Sequence, residues 1–272
     1  FNIVVTATES GSSCSGNGAT YTLVISCPAA ITGTATPASQ TVCSGTAITT
    51  IVLSGVPAPA SYNWTRDNTV AVTGIAASGA GDISGILTNT TTVPVTVTFT
   101  ITPIYYGICT GTAYTATVLV NPTPDAVPTP SAQTVCSGAP ITTIVLSGNV
   151  SGTVFNWTRD NTVAVTGIAA SGSGDISGTL TNTTNAPVTV TFTITPTANS
   201  CPGSAVTATV LVNPTPDAVA TPSSQIVCSG ITIAPIALTG AVAGTVFNWT
   251  RDNIVAATGI AASGSGNISG AL

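Results

Sequence analysis

Asn63-Trp64-Thr65-Arg66-Asp67-Asn68 recurs without change at residues 156–161 and 248–253, at separations of 93 and 92 residues. The three copies hold every Trp of the chain (Trp64, Trp157, Trp249) and every basic residue (Arg66, Arg159, Arg251). Two positions before each Trp stands another aromatic: Tyr62, Phe155 and Phe247. Residues two apart in an extended strand share a face, so each copy sends a pair of rings to one side. Rings of this size bury about 150–250 Å² each and dominate a small core. Trp64, Trp157 and Trp249 are therefore read as core anchors of a mid-sheet strand that ends in an Arg-Asp-Asn turn. The competing reading is an exposed Trp that grips a sugar. A Trp in an alternating strand is more often core.

Working outward, Val95, Val97, Phe99 and Ile101 alternate with Thr96, Thr98, Thr100 and Thr102. That pattern marks a strand with one buried and one wet face. Further strands are expected at 48–53, 69–73, 83–88 and 113–120, and residues 76–81 are too rich in Gly, Ser and Ala for a helix. Asn121-Pro122-Thr123-Pro124 closes the unit, because Pro cannot donate to a ladder. The same words return one period later and end in Asn213-Pro214-Thr215-Pro216. No segment has helical periodicity. About seven short strands per period, with a core Trp and a cystine, predict an all-β chain of tandem immunoglobulin-like sandwiches set in a linear rod. Residues 1–33 read as the closing strands of a partial domain, 34–124 and 125–216 as whole repeats, and 217–272 as a repeat without its last two strands. Leu272 matches Leu180 and Phe1 matches Val188. The chain is then either a window on a longer array, or a subunit whose first strands complete the last domain of the next copy.

Seven Cys recur largely in register with the repeat, which favours disulfides over metal sites. Cys43, Cys136 and Cys228 each stand in Val-Cys-Ser-Gly, while Cys109 and Cys201 fall in a loop between strands. One bridge per whole repeat is expected, Cys43–Cys109 and Cys136–Cys201, in an oxidising, extracellular setting. Cys228 then requires a partner beyond Leu272 and Cys14 one before Phe1, while Cys27 has no counterpart.

Composition narrows the chemistry. Charged residues make up 4% of the chain, the net charge is −5, and His, Lys and Met are absent. There is no basic footprint for nucleic acid or anionic lipid, and no apolar run long enough to span a membrane as a helix. Acyl transfer by Ser lacks a base. Asp67, Asp82, Asp125, Asp160, Asp175 and Asp217 recur with the array and read as turn and loop residues rather than catalytic pairs. One carboxylate per junction (Asp125, Asp217) is too few for a calcium cage. The sequons at Asn63, Asn89, Asn156, Asn182 and Asn248 are treated as incidental to a Thr-rich sequence. No catalytic residue, metal site or cofactor is expected.

Thr41-Val42-Cys43-Ser44-Gly45, the Asn-Trp-Thr-Arg-Asp-Asn turn, the Gly-Asp-Ile-Ser-Gly step and the Val-Thr-Phe-Thr-Ile-Thr-Pro strand before a Cys loop resemble the PKD-like, immunoglobulin-like repeats of giant flavobacterial cell-surface adhesins of the SprB type. The resemblance covers essentially the whole chain apart from residues 9–18 and Cys27. It implies export by the type IX secretion system, display as a long surface filament, and attachment during gliding. The partners it implies are the other domains of the same long chain, neighbouring filament chains, and an external surface or polysaccharide met by a tip outside this sequence. The alternatives are glycan-binding modules beside a secreted polysaccharide hydrolase, and a fibre subunit completed by strand donation.

Overall fold

The computed structural model describes residues 2–5, 19–22, 27–57 and 60–272. They form two compact units, 1–122 and 123–272. All regular structure among the described residues is β.

In the first unit, β1 (Asn2–Val5) and β2 (Ala19–Thr22) form an antiparallel pair with Ile3 opposite Tyr21. The whole repeat follows as β3 (Thr32–Thr36), β4 (Ser39–Cys43), β5 (Val52–Val56), β6 (Ala60–Arg66), β7 (Val72–Gly74), β8 (Ser78–Ala80), β9 (Leu87–Asn89), β10 (Val95–Tyr105), β11 (Cys109–Thr110) and β12 (Tyr114–Asn121). One sheet runs β4-β12-β10-β6-β8, with β11 on the end of β10. The opposing layer is built from the pairs β3-β5 and β7-β9, and Ile51 bridges Ile83 across it. This is an immunoglobulin-like sandwich with more, shorter strands than the sequence suggests. The first strand is divided by Pro37, which has no N–H to donate: β3 pairs with β5, while β4 crosses to run parallel with β12. The Gly-Ser stretch 76–81, read from the sequence only as unsuited to a helix, supplies the edge strand β8.

Alternation on β10 places Val97, Phe99 and Ile101 fully inside, against Ala116, Val118 and Val120 of β12 and Leu53, Val72 and Leu87 of the facing layer. The Thr residues between them face water or the sheet rim, which is the expected pattern.

The second unit repeats this plan as β13 (Val127–Thr129), β14 (Ala132–Cys136), β15 (Val145–Ser147), β16 (Val154–Arg159), β17 (Val165–Gly167), β18 (Ser171–Ser173), β19 (Leu180–Asn182), β20 (Val188–Ala198), β21 (Cys201–Pro202) and β22 (Val206–Asn213). Its main sheet is β14-β22-β20-β16-β18. The third repeat retains β23 (Val219–Thr221), β24 (Ala237–Thr239), β25 (Asn248–Thr250) and β26 (Ser263–Ser265). There Gln225 to Cys228, the counterpart of β14, forms no strand. β14 is held by its parallel ladder to β22, and among the described residues Gln225 to Cys228 has no such ladder partner.

The cysteine pairing differs from the expected one. Cys109 is bonded to Cys27, with Cα atoms 5.5 Å apart, and not to Cys43. Cys136 is an exposed free thiol, so the Cys136–Cys201 bridge is absent, and Cys228 is exposed and free as well. Cys43 and Cys201 are disulfide-bonded. Strand direction gives the reason. β4 is parallel to β12 with Cys43 beside Asn121, whereas Cys109 sits at the hairpin that precedes Tyr114. Seven residues of extended chain separate those levels, about 23 Å at ~3.3 Å per residue. A disulfide spans Cα atoms no more than about 7 Å apart. Cys136 beside Asn213 and Cys201 ahead of Val206 are kept apart in the same way. Cys14 lies outside the described residues.

Phe99, with its counterpart Phe192, is the largest side chain with no exposure among the described residues. Phe99→Ala is expected to lower the stability of the first sandwich by about 3–5 kcal/mol. Urea unfolding followed through Trp64, with the other two Trp replaced by Phe, reads this directly.

Candidate functional site

The recurrent hexapeptide is the one place where unusual side chains gather, so it is the candidate site. It lies at the end of β6, a central strand bonded on one side to β10 and on the other to β8. Trp64 is 8% exposed and meets Phe99 edge to face, with ring centroids 5.6 Å apart. The other side of the indole lies over Gly79, where an added Cβ would sit 2.3 Å from the ring. Its Nε1 donates to the Gly81 carbonyl at 3.1 Å. Trp157 repeats the arrangement with Phe192, Gly172 and the Gly174 carbonyl. Both indoles are thus buried within their own module.

Trp249 also lies over its glycine, Gly264, but it is only half-buried and its Nε1 has no acceptor. The shallow depressions beside the first two Trp expose Thr and Ser side chains together with Asn63 or Asn156.

Arg66 follows Trp64 by two positions and therefore turns inward too, where it is 8% exposed. Its Nε donates to the Ile75 carbonyl at 2.8 Å and its Nη1 to the Val72 carbonyl at 3.0 Å. The guanidinium thus fastens the segment that leads from β7 into β8. Burial lowers the pKa of Arg66, and Asp67 opposes that shift. Arg159 binds the Ile168 and Val165 carbonyls at the same distances. Arg251 holds the Ile260 and Ala257 carbonyls, so the clamp recurs in the third repeat. The turn reading of this Arg missed its role, although the period-two rule that placed Trp64 inside applies equally to Arg66.

The remaining polar residues are also engaged. Asp67 accepts the Thr98 N–H at 2.7 Å and so ties the turn to β10. Asn68 adopts φ 51°, a left-handed conformation that Asn tolerates, and its Nδ2 donates to the Thr96 carbonyl. Asp82 and Asp175 accept the backbone N–H groups of Leu53 and Leu146, each at 2.8 Å. In the third repeat Asn267 performs the same task for Leu238 at 3.0 Å. A neutral acceptor therefore suffices, which marks these Asp residues as structural. Asp125 and Asp217 accept N–H groups from Asn149 and Ala241. Among the described residues no three His, Cys, Asp or Glu gather in a group fit to hold a metal. Asn89 is buried, with its amide donated to Val93 and Val120 and its Oδ1 taken by Thr91. Asn63 and Asn156 are exposed.

In the first unit one polar group stands out. The Tyr114 hydroxyl is buried without a hydrogen-bond partner, and its ring covers Gly33. Burial first, and then the neighbouring Tyr62, push its pKa up to about 12.

The geometry defines a class: tandem, aromatic-cored β-sandwich modules whose recurring residues maintain the fold. The model of the PKD-like domain matches residues 40–124 and 133–216, and the chain belongs to that family. No curated protein matches this sequence. Among solved structures it is similar to mouse cadherin-23 EC22-24, at 14% identity and a TM-score of 0.42, covering 86% of this chain and 85% of that one. It is also similar to the D00-D0 domain of intimin, at 15% identity and a TM-score of 0.32, covering 64% and 94%. The fibronectin(III)-like modules of Clostridium thermocellum CbhA give 11% identity and a TM-score of 0.28, covering 67% and 95%.

Arg66→Lys is expected to cost about 2–4 kcal/mol, because a single ammonium cannot serve carbonyls on both sides of the fork and leaves buried acceptors unpaired. Urea unfolding of the first sandwich tests this, and Arg251→Lys provides the comparison in the more open third repeat. A second expectation concerns pH. Tyr114 stays protonated in the fold up to about 12 but ionises near its ordinary 10.0 when unfolded. Its contribution is complete below pH 10 and is lost as pH rises from 10 towards 12. Tyr114→Phe should make the fall in urea midpoint between pH 9 and pH 11 shallower than in the parent chain.

Proposed function

We propose that this chain is a stalk segment of a long extracellular adhesin. In this reading its modules give length, and the adhesive specificity resides elsewhere in the protein. One observation carries it: in two successive repeats the same indole, guanidinium and carboxylates are engaged by the module's own backbone and core, at nearly identical distances. A binding array would keep such groups available to a ligand. The worded resemblance to SprB-type repeats extends the proposal to display on a bacterial outer surface, export by the type IX system and attachment during gliding. Disulfides suit an oxidising exterior. Three basic residues in 272, at least two of them buried, also offer trypsin-like proteases few cleavage sites.

Two measurements test the reading. Emission from Trp64 and Trp157 should be blue-shifted, resistant to acrylamide and unchanged by added polysaccharides. In cells that carry the gene, removal of one 92-residue period should shorten reach while the adhesion target stays the same. A saturable emission shift with a glycan would instead identify binding modules.

A further inference from the structure

We propose that Cys136 is one half of a disulfide staple between consecutive repeats, its partner being the loop cysteine of the repeat that follows. The inference is independent of what the array adheres to. It rests on three observations.

First, the loop cysteine of a repeat lies against the segment that leads into that same repeat. In the first unit the Cys109 loop folds over the entry to β3: Thr112 N donates to the Ile31 carbonyl, and an added Cβ at Gly111 would sit 2.4 Å from that oxygen. Cys109 is bonded there to Cys27, four residues ahead of Ile31. In the second unit Gly203, two residues past Cys201, lies closer still to the Pro124 carbonyl, and Pro124 is the counterpart of Ile31 one period on. Second, Cys136 sits beside the exit of its own repeat. It is the register partner of Asn213, and Ser137 N donates to the Asn213 carbonyl at 2.8 Å. Asn213 opens the link into the third repeat, and the third repeat's Val242, Gly244 and Val246 line a hollow together with Asn213 and Pro214. A loop cysteine laid over Pro216, the next counterpart of Pro124, therefore arrives next to Cys136. Third, the position is one that bonds: Cys43, one period earlier, is disulfide-bonded, whereas Cys136 is exposed and free. Leu272 is the counterpart of Leu180, which precedes the loop cysteine Cys201 in the second repeat.

The bond forms by thiol–disulfide exchange with a disulfide oxidant such as oxidised glutathione. One thiolate attacks the oxidant and releases a reduced thiol, giving a mixed disulfide. The second thiolate then displaces the other reduced thiol, so two protons and two electrons leave the protein pair together.

Two extended chains supply the partner. In one, a copy of residues 181–213 follows Leu272, since Leu272 is the counterpart of Leu180. In the other, a copy of residues 125–213 replaces residues 217–272, placing the loop cysteine on a module that is complete in the structure. Both are oxidised in a glutathione buffer, alkylated with iodoacetamide and mapped without reduction. Cleavage after the three Arg puts Cys109 and Cys136 in peptide 67–159, with Cys109 tied to Cys27 in 1–66. Cys201 and Cys228 fall in 160–251, and the first chain's added cysteine after 251. Fragmentation of the linked peptides tells Cys136 from Cys109. Cys136 should alkylate fully in the 272-residue chain and not at all in either folded extension, where it is found joined to the copied loop cysteine. Alkylation of Cys136 in the second extension, whose last module needs no grafted hairpin to fold, overturns the proposal. So does a Cys136–Cys201 bond in the 272-residue chain.

Discussion

An indole laid flat on a glycine is the contact on which each module turns. Trp64 can occupy the middle of the sandwich only because Gly79 on the neighbouring edge strand has no side chain, and Phe99 closes the other side. The strand that supplies Gly79 would be hard to hold by its own composition, since Ser, Gly and Ala have weak strand preference. Its ladder to β6 and the Arg66 clamp on the preceding carbonyls keep it in place. The hexapeptide therefore recurs as a block. Trp fills the core, Arg fixes the chain that carries the glycine, Asp joins the turn to β10, and Asn supplies the left-handed corner.

This arrangement explains how a chain with 4% charged residues builds well-defined modules. Buried polar groups are satisfied almost wholly by backbone: guanidinium on carbonyls, carboxylates on N–H groups, and Asn89 on both. Each such bond specifies a geometry that apolar packing alone leaves loose. The acceptance of Asn267 where the earlier repeats have Asp shows that hydrogen bonding, and not charge, is the requirement. The same engagement leaves the recurrent side chains little capacity for a ligand, and that is why the modules read as structure.

Much of the sandwich was legible in the residues. Alternation over residues 95–102 located the central strand and its inward face, and it placed Trp64 inside. The same rule applies to Arg66, but a charged residue beside Asp and Asn invites a turn reading. The Gly-rich edge strand escaped because its strand character comes from β6 and not from its own side chains. Gln225 to Cys228 makes the same point, since a stretch closely similar to β14 forms no strand where it has no ladder partner among the described residues. The cysteine pairing was misread for a related reason. Phase within a repeat says which cysteines are equivalent, but only strand direction says which end of the sandwich each occupies. Once β4 is known to run parallel to β12, a bridge from Cys43 to Cys109 is ruled out by distance.

Amide-type hydrogen exchange at the three indole Nε1–H groups, resolved by NMR, tests the central contact most directly. Trp64 and Trp157 donate to carbonyls inside closed sandwiches and should exchange only on cooperative unfolding. Trp249 has no acceptor and should exchange faster, by ~100-fold or more. Equal, fast exchange at all three would contradict the account, because the indole would then not be the locked centre of its module.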